Sequence, residues 1–133
     1  MPGSARRYHT QQTHYLRKTV TYNEVASGTQ VLMGTLPKGA LVLATSVAIK
    51  TAFNAGTTNV LIVGTAGDDD ALVAAAGVDE TAVALTRVAP ATLAGLVAPT
   101  ADTDIYTKYT QSGTAASAGE AEVVVEFVPD NDL

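Results

Sequence analysis

Between Glu120 and Val128 the chain reads Glu-Ala-Glu-Val-Val-Val-Glu-Phe-Val, and its side chains sort by parity. In an extended strand Ala121, Val123, Val125 and Phe127 fall on one side, and Glu120, Glu122, Val124, Glu126 and Val128 on the other. Thr103 to Thr110 repeats the pattern, with Ile105, Thr107 and Tyr109 opposed to Tyr106 and Lys108. A period of two with β-branched and aromatic residues fits a half-buried strand and does not fit a helix. This alternation is the strongest constraint on the fold.

Further extended segments follow the same logic. Thr19 to Val25 alternates Val20 and Tyr22 against Thr19 and Thr21, and Gln30 to Leu36 reads as a second strand. Leu36-Pro-Lys-Gly-Ala40 is a tight turn, because Pro37 presets its φ and Gly39 accepts a positive one. Leu41 to Phe53 is the longest candidate: Leu41, Leu43, Thr45, Val47, Ile49 and Thr51 are expected on its apolar face. Val60-Leu-Ile-Val63 is a short apolar run that suits a strand covered on both faces. Ala71 to Gly77 is expected to form a short helix, with Asp68 to Asp70 at its N-terminus. Ala82 to Val88 reads as a strand, and Ala89 to Asp102, with two prolines, as irregular. Seven or eight strands at near-regular spacing predict an all-β protein, an antiparallel β-sandwich whose most economical form is a jelly roll.

The 133 residues make one domain, and they contain no cysteine. Disulfides, thiolate metal sites and cysteine nucleophiles are excluded. Charged residues are 16% of the chain, against about 25% in ordinary soluble domains, which suits a surface made for burial or a thin polar skin. No apolar leader is visible in residues 1–18, and no run reaches the ~20 apolar residues of a membrane helix, so a soluble protein made without export is expected.

The net charge of −5 is unevenly spread. Residues 1–18 hold Arg6, Arg7, Arg17 and Lys18 and no acid, giving +4, while residues 19–133 hold four cations against all 13 acids, giving −9. Tyr8, Tyr15, His9 and His14 share the basic stretch. The chain is therefore divided into an extended basic arm, 1–18, and a β-sandwich domain, 19–133. Arg6, Arg7, Tyr8, Tyr15, Arg17 and Lys18 are the candidate interface residues, since Arg and Tyr are enriched at interface hot spots. A frayed terminus is the plainer alternative. Direct nucleic-acid binding is disfavoured, because the −9 body would repel a phosphate backbone.

Catalytic chemistry finds little material. No Gly-x-Ser-x-Gly or phosphate-binding glycine loop occurs. His9 and His14 lack two further metal ligands nearby, and neither Asp68-Asp-Asp70 nor Asp102-Thr-Asp104 has calcium-loop spacing. No catalytic, cofactor-binding or metal residues are assigned, and no enzyme activity or cofactor is expected.

The phrases Leu36-Pro-Lys-Gly-Ala40, Ala52-Phe-Asn-Ala-Gly-Thr-Thr57, Val60-Leu-Ile-Val-Gly64, Asp104-Ile-Tyr-Thr-Lys-Tyr-Thr-Gln-Ser-Gly113 and Ala118 to Asp130 together resemble small structural proteins of tailed bacteriophages. Within that group the chain is most similar to jelly-roll capsid cement or decoration proteins, over roughly Leu36 to Asp130. The resemblance implies a virion protein, made in the host cytoplasm, on the outer capsid surface. There it would bridge neighbouring major capsid protein subunits, commonly as a homodimer or homotrimer, with no membrane contact. A tail, neck or fibre component, or a carbohydrate- or host-surface-binding jelly roll, is the alternative. The seven aromatic residues offer little for sugar platforms.

Overall fold

The computed structural model describes residues 12–92 and 97–130. Among them run seven strands: β1 (His14–Thr21), β2 (Gln30–Leu36), β3 (Leu41–Thr51), β4 (Thr58–Gly64), β5 (Ala84–Val88), β6 (Thr103–Ser112) and β7 (Glu120–Val128). They form a four-stranded sheet ordered β1-β7-β3-β5 and a three-stranded sheet ordered β2-β6-β4. Every pairing is antiparallel. β1 pairs with β7, β2 with β6 and β3 with β5, so the chain is one long folded-back hairpin rolled into two layers. That is jelly-roll connectivity.

An eight-stranded jelly roll would add a strand on the free side of β4. Here that strand is reduced to one bridge, Val63 to Val73. Val73 N–H donates to the Val63 carbonyl at 3.0 Å, and Val63 N–H donates back at 3.2 Å. Residues 71–77 are therefore not the expected short helix. One turn of helix carries the nucleation cost without propagation. Laying the segment across β4 instead buries Ala71, Leu72 and Val73 to 2% exposure or less and satisfies the edge.

The core lies between the layers. Val20, Val42, Val47, Ile49, Ala121, Val123, Val125 and Phe127 face Leu36, Leu61, Val63, Ile105 and Tyr109. The expected inward faces of β6 and β7 hold throughout. Phe53 closes one end, its ring 4.7 Å from that of Tyr109.

β3 departs from simple alternation. Val42 is opposite Phe127 and Ala44 opposite Glu126, so Leu43 is an extra residue, a bulge that reverses the parity of the strand. Val42 is buried before it and Thr45, Val47 and Ile49 after it. Leu41 and Leu43, expected inside, are each 40% exposed. The start of the sandwich also moves. The strand expected at Thr19–Val25 begins at His14 and ends at Thr21, because the register against β7 places Val20 over Ala121 and Leu16 over Val125. Tyr15, Arg17 and Lys18, read as part of an arm, thus belong to the sheet. β5 is shorter than expected, beginning at Ala84, after a turn in which Asp79 accepts the Thr81 N–H at 3.0 Å.

Candidate interaction face

The outer surface of the four-stranded sheet carries three of the five ion pairs among the described residues. Alternation in β1 turns Tyr15, Arg17 and Thr19 outward, while the same rule in β7 presents Glu122, Val124 and Glu126. Register aligns these in rows. Arg17, Val124, Ser46 and Arg87 form one row, and Thr19, Glu122, Ala48 and Leu85 the next. Ser46 and Ala48, the β3 members of the two rows, are small and leave room for the longer side chains of the neighbouring strands.

Glu122 is the hub. Its carboxylate accepts from Arg17 Nε at 2.8 Å, from Lys50 Nζ at 3.0 Å and from Thr19 Oγ1 at 3.2 Å. Hydrogen bonding first to Arg17 and then to Lys50 holds its pKa down at about 2. Arg87 grips Glu126 with both terminal nitrogens, Nη2 to Oε2 at 3.1 Å, and this lowers the Glu126 pKa. Both guanidiniums are shifted up by the glutamates they bind. The face is thus internally charge-paired, with Tyr15 at 60% and Leu85 at 72% exposure.

The candidate interface residues divide. Arg6, Arg7 and Tyr8 lie outside the described residues. Tyr15 and Arg17 sit together on the outer face. Lys18 points the opposite way because it has the other parity, and its ammonium bonds the Glu24 carboxylate and, at 3.2 Å, the Thr19 carbonyl. His14 shares that parity and stacks on Phe127 with ring centroids 5.8 Å apart. Lys50, Arg87, Glu122, Glu126 and Leu85 join the site, although sequence reading did not select them. Alternation had set the glutamates outward. Their partners could not be read, since Arg17 is 105 residues from Glu122.

The acidic clusters fasten loops. Asp69 pairs with Lys108 at 2.6 Å, Asp102 accepts the Lys38 N–H at 2.9 Å and Asp104 accepts from Thr35 Oγ1 at 2.7 Å. Crowding in the first cluster raises the Asp70 pKa, chiefly through its hydrogen bond with Asp68. Among the described residues no group of three or more His, Asp or Glu could hold a metal ion. An apolar cleft between the layers, lined by Leu36, Val42, Leu72, Ile105 and neighbours, contains no titratable side chain.

No protein-family model matches the sequence, and no curated protein matches it. Solved structures do. A chain in the structure described as the capsid asymmetric unit of cyanophage Pam1 is 19% identical, with a TM-score of 0.64 over 97% of this chain and 98% of that one. A chain in the capsid of Ralstonia phage GP4 is 16% identical, with a TM-score of 0.68 over 95% and 90%. A chain in the acidic stable capsid structure of Helicobacter pylori bacteriophage KHP30 is 16% identical, with a TM-score of 0.59 over 88% of each. At these identities the likeness is one of fold.

Proposed function

We propose that the chain is a virion structural protein that binds the outer surface of a phage capsid and cements neighbouring major capsid subunits. The observation that carries this reading is end-to-end likeness to chains in three phage capsid structures, with almost the whole of both chains covered each time. The matched chains are of similar size to this one, which suits a separate small protein within a shell. The sheet face supports it further. A surface with paired charges and an exposed Tyr15 and Arg17 can dock with little desolvation of unpaired charge. Arg6, Arg7 and Tyr8 add basic and aromatic side chains to the same task. Many identical sites on one shell make modest single contacts sufficient.

Copy number in purified particles tests the reading. Hundreds of copies per particle are expected, and a dozen or fewer would assign the chain to a neck, tail or fibre instead. Tyr15→Ala with Arg17→Glu should release the protein from particles while leaving it folded. Unchanged retention would remove this face from the interface.

A further inference from the structure

The rows on the outer sheet face end in a third, Thr21, Glu120 and Thr51, where β1, β7 and β3 lie side by side. Beside it the chain forms a cleft of about 300 Å³, lined by Thr21, Tyr22, Asn23, Thr51, Ala118 and Glu120. The fold fixes its walls. Tyr22 packs against the core, and its N–H donates to the Gly119 carbonyl at 3.1 Å. Gly119 has a φ of 151°, and a Cβ there would stand 2.3 Å from the Phe53 ring. The backbone is pressed onto the core at this point, so the cleft is formed before any ligand arrives.

Glu120 is the one glutamate of this face left out of its charge pairing. Glu122 holds Arg17 and Lys50, and Glu126 holds Arg87. Among the described residues the Glu120 carboxylate has neither an ion pair nor a hydrogen bond. Lys50 is next to Thr51 in the chain, but its ammonium is held by Glu122 at 3.0 Å. Water satisfies a lone carboxylate on a free surface. A partner seated on this face would remove that water, and a covered carboxylate without a counter-charge is strongly unfavourable. Whatever docks over the cleft must bring a cation to it.

We propose that this cleft is a socket for one basic side chain, an arginine or a lysine, of the protein against which the outer sheet face docks. The proposal rests on the docking of that face and adds what the partner must carry there. Both parts of such a side chain are provided for. Tyr22 and Ala118 give apolar surface to its methylene stem, while Glu120, Thr21, Thr51 and Asn23 supply oxygen acceptors for its charged head. A neutral ligand such as a sugar would leave the carboxylate uncompensated. A divalent metal ion wants more carboxylates than the single one in the cleft. The chain's own arginines fit poorly. Arg7 lies seven residues before His14, and Thr21 seven after it, so Arg7 could reach the cleft only by doubling back at His14 and staying fully extended.

Two experiments on the full chain test this. In the first, the isolated protein is titrated with acetyl-arginine amide and with its neutral citrulline counterpart, and backbone amides are followed by NMR. Signals of Thr21, Tyr22, Gly119 and Glu120 should move, arginine should bind about threefold more tightly or more, and the preference should vanish in Glu120→Gln. Equal binding of the two compounds, or no movement at these residues, overturns the proposal. So does movement of the same signals on replacing Arg6→Ala with Arg7→Ala, since the socket would then be filled from within the chain. In the second, retention on purified particles is measured against salt. Glu120→Gln should bind about tenfold more weakly than the parent, with the melting temperature unchanged. Equal retention overturns the socket and leaves the capsid reading standing. An arginine preference in a chain that is absent from particles supports the socket and overturns the capsid reading alone.

Discussion

The edges of β4 and β5 begin from the same difficulty and end differently. Each is the outermost strand of its sheet, with backbone groups that need partners. At β4 the chain spends residues 65–80 on the difficulty. It returns Val73 to Val63, the Asp68 carbonyl to Thr65 and the Glu80 carboxylate to Leu61. At β5, among the described residues, no segment brings a backbone partner, and Leu85 and the preceding Val83 lie in solvent. The β4 backbone is bonded on both sides, whereas among the described residues the β5 backbone is bonded to β3 alone. Removing a partner from a buried, capped edge should therefore cost stability, and altering a bare edge should not.

The largest effect is expected at Gly64. A Cβ there would stand 2.3 Å from the Asp68 carbonyl oxygen, which is backbone and cannot swing aside. Gly64→Ala should lose about 3 kcal/mol in urea unfolding, by forcing the covering loop off β4. A cost near zero would mean that the loop is not tight.

Glu80→Ala should come next, at about 2 kcal/mol, because it leaves the Leu61 N–H buried without its acceptor. The pH dependence sharpens this. Burial raises the Glu80 pKa, so the native chain holds this proton more firmly than the unfolded chain. Its contribution to folding is full below the ordinary carboxylate value and is lost as pH rises through the raised native one. The Ala penalty should be larger at pH 5 than at pH 7, and Glu80→Gln, which keeps an acceptor, should flatten the slope. Equal penalties at the two pH values would count against a carboxyl cap.

Glu122 runs the other way. Its pKa is lowered to about 2 by Arg17 and Lys50, so its stabilisation is present above the ordinary value and lost as pH falls toward about 2. Glu122→Gln should cost on the order of 1 kcal/mol at pH 7, since two partners are exposed and solvent screens them, and only a small part of that near pH 2, where the native carboxyl is half protonated. Thermal melts across that range check the convergence. The smallest effect belongs to Leu85→Lys, within about 0.5 kcal/mol on the monomer, because the side chain touches little. A loss above 1 kcal/mol would show that β5 carries more of the fold than its exposure suggests.

The legible parts of the molecule are those in which local pattern and tertiary burial agree. Ile105, Thr107 and Tyr109, and Ala121 through Phe127, face inward as parity requires. Leu41 and Leu43 mislead because one inserted residue reverses parity, and nothing local marks the insertion. The segment at 71–77 misleads because alanine favours helix in isolation, whereas the open edge of β4 offers a better use for Leu72 and Val73. Of the interface candidates chosen by composition, Tyr15 and Arg17 share the outward face of β1. Lys18 falls on the opposite parity, and the glutamates that fix Arg17 and Arg87 lie too far along the chain to be paired by eye.

By itself the sequence determined an all-β chain without cysteine, with basic residues near its start and acids over its body, and the inward faces of its last two strands. Alternation and charge are properties of neighbours in the chain, so they survive without a fold. Which edges are closed was decided only by the tertiary structure. A ladder partner such as Glu80 for Leu61 is chosen by position in space, and an open edge is defined by what never arrives beside it.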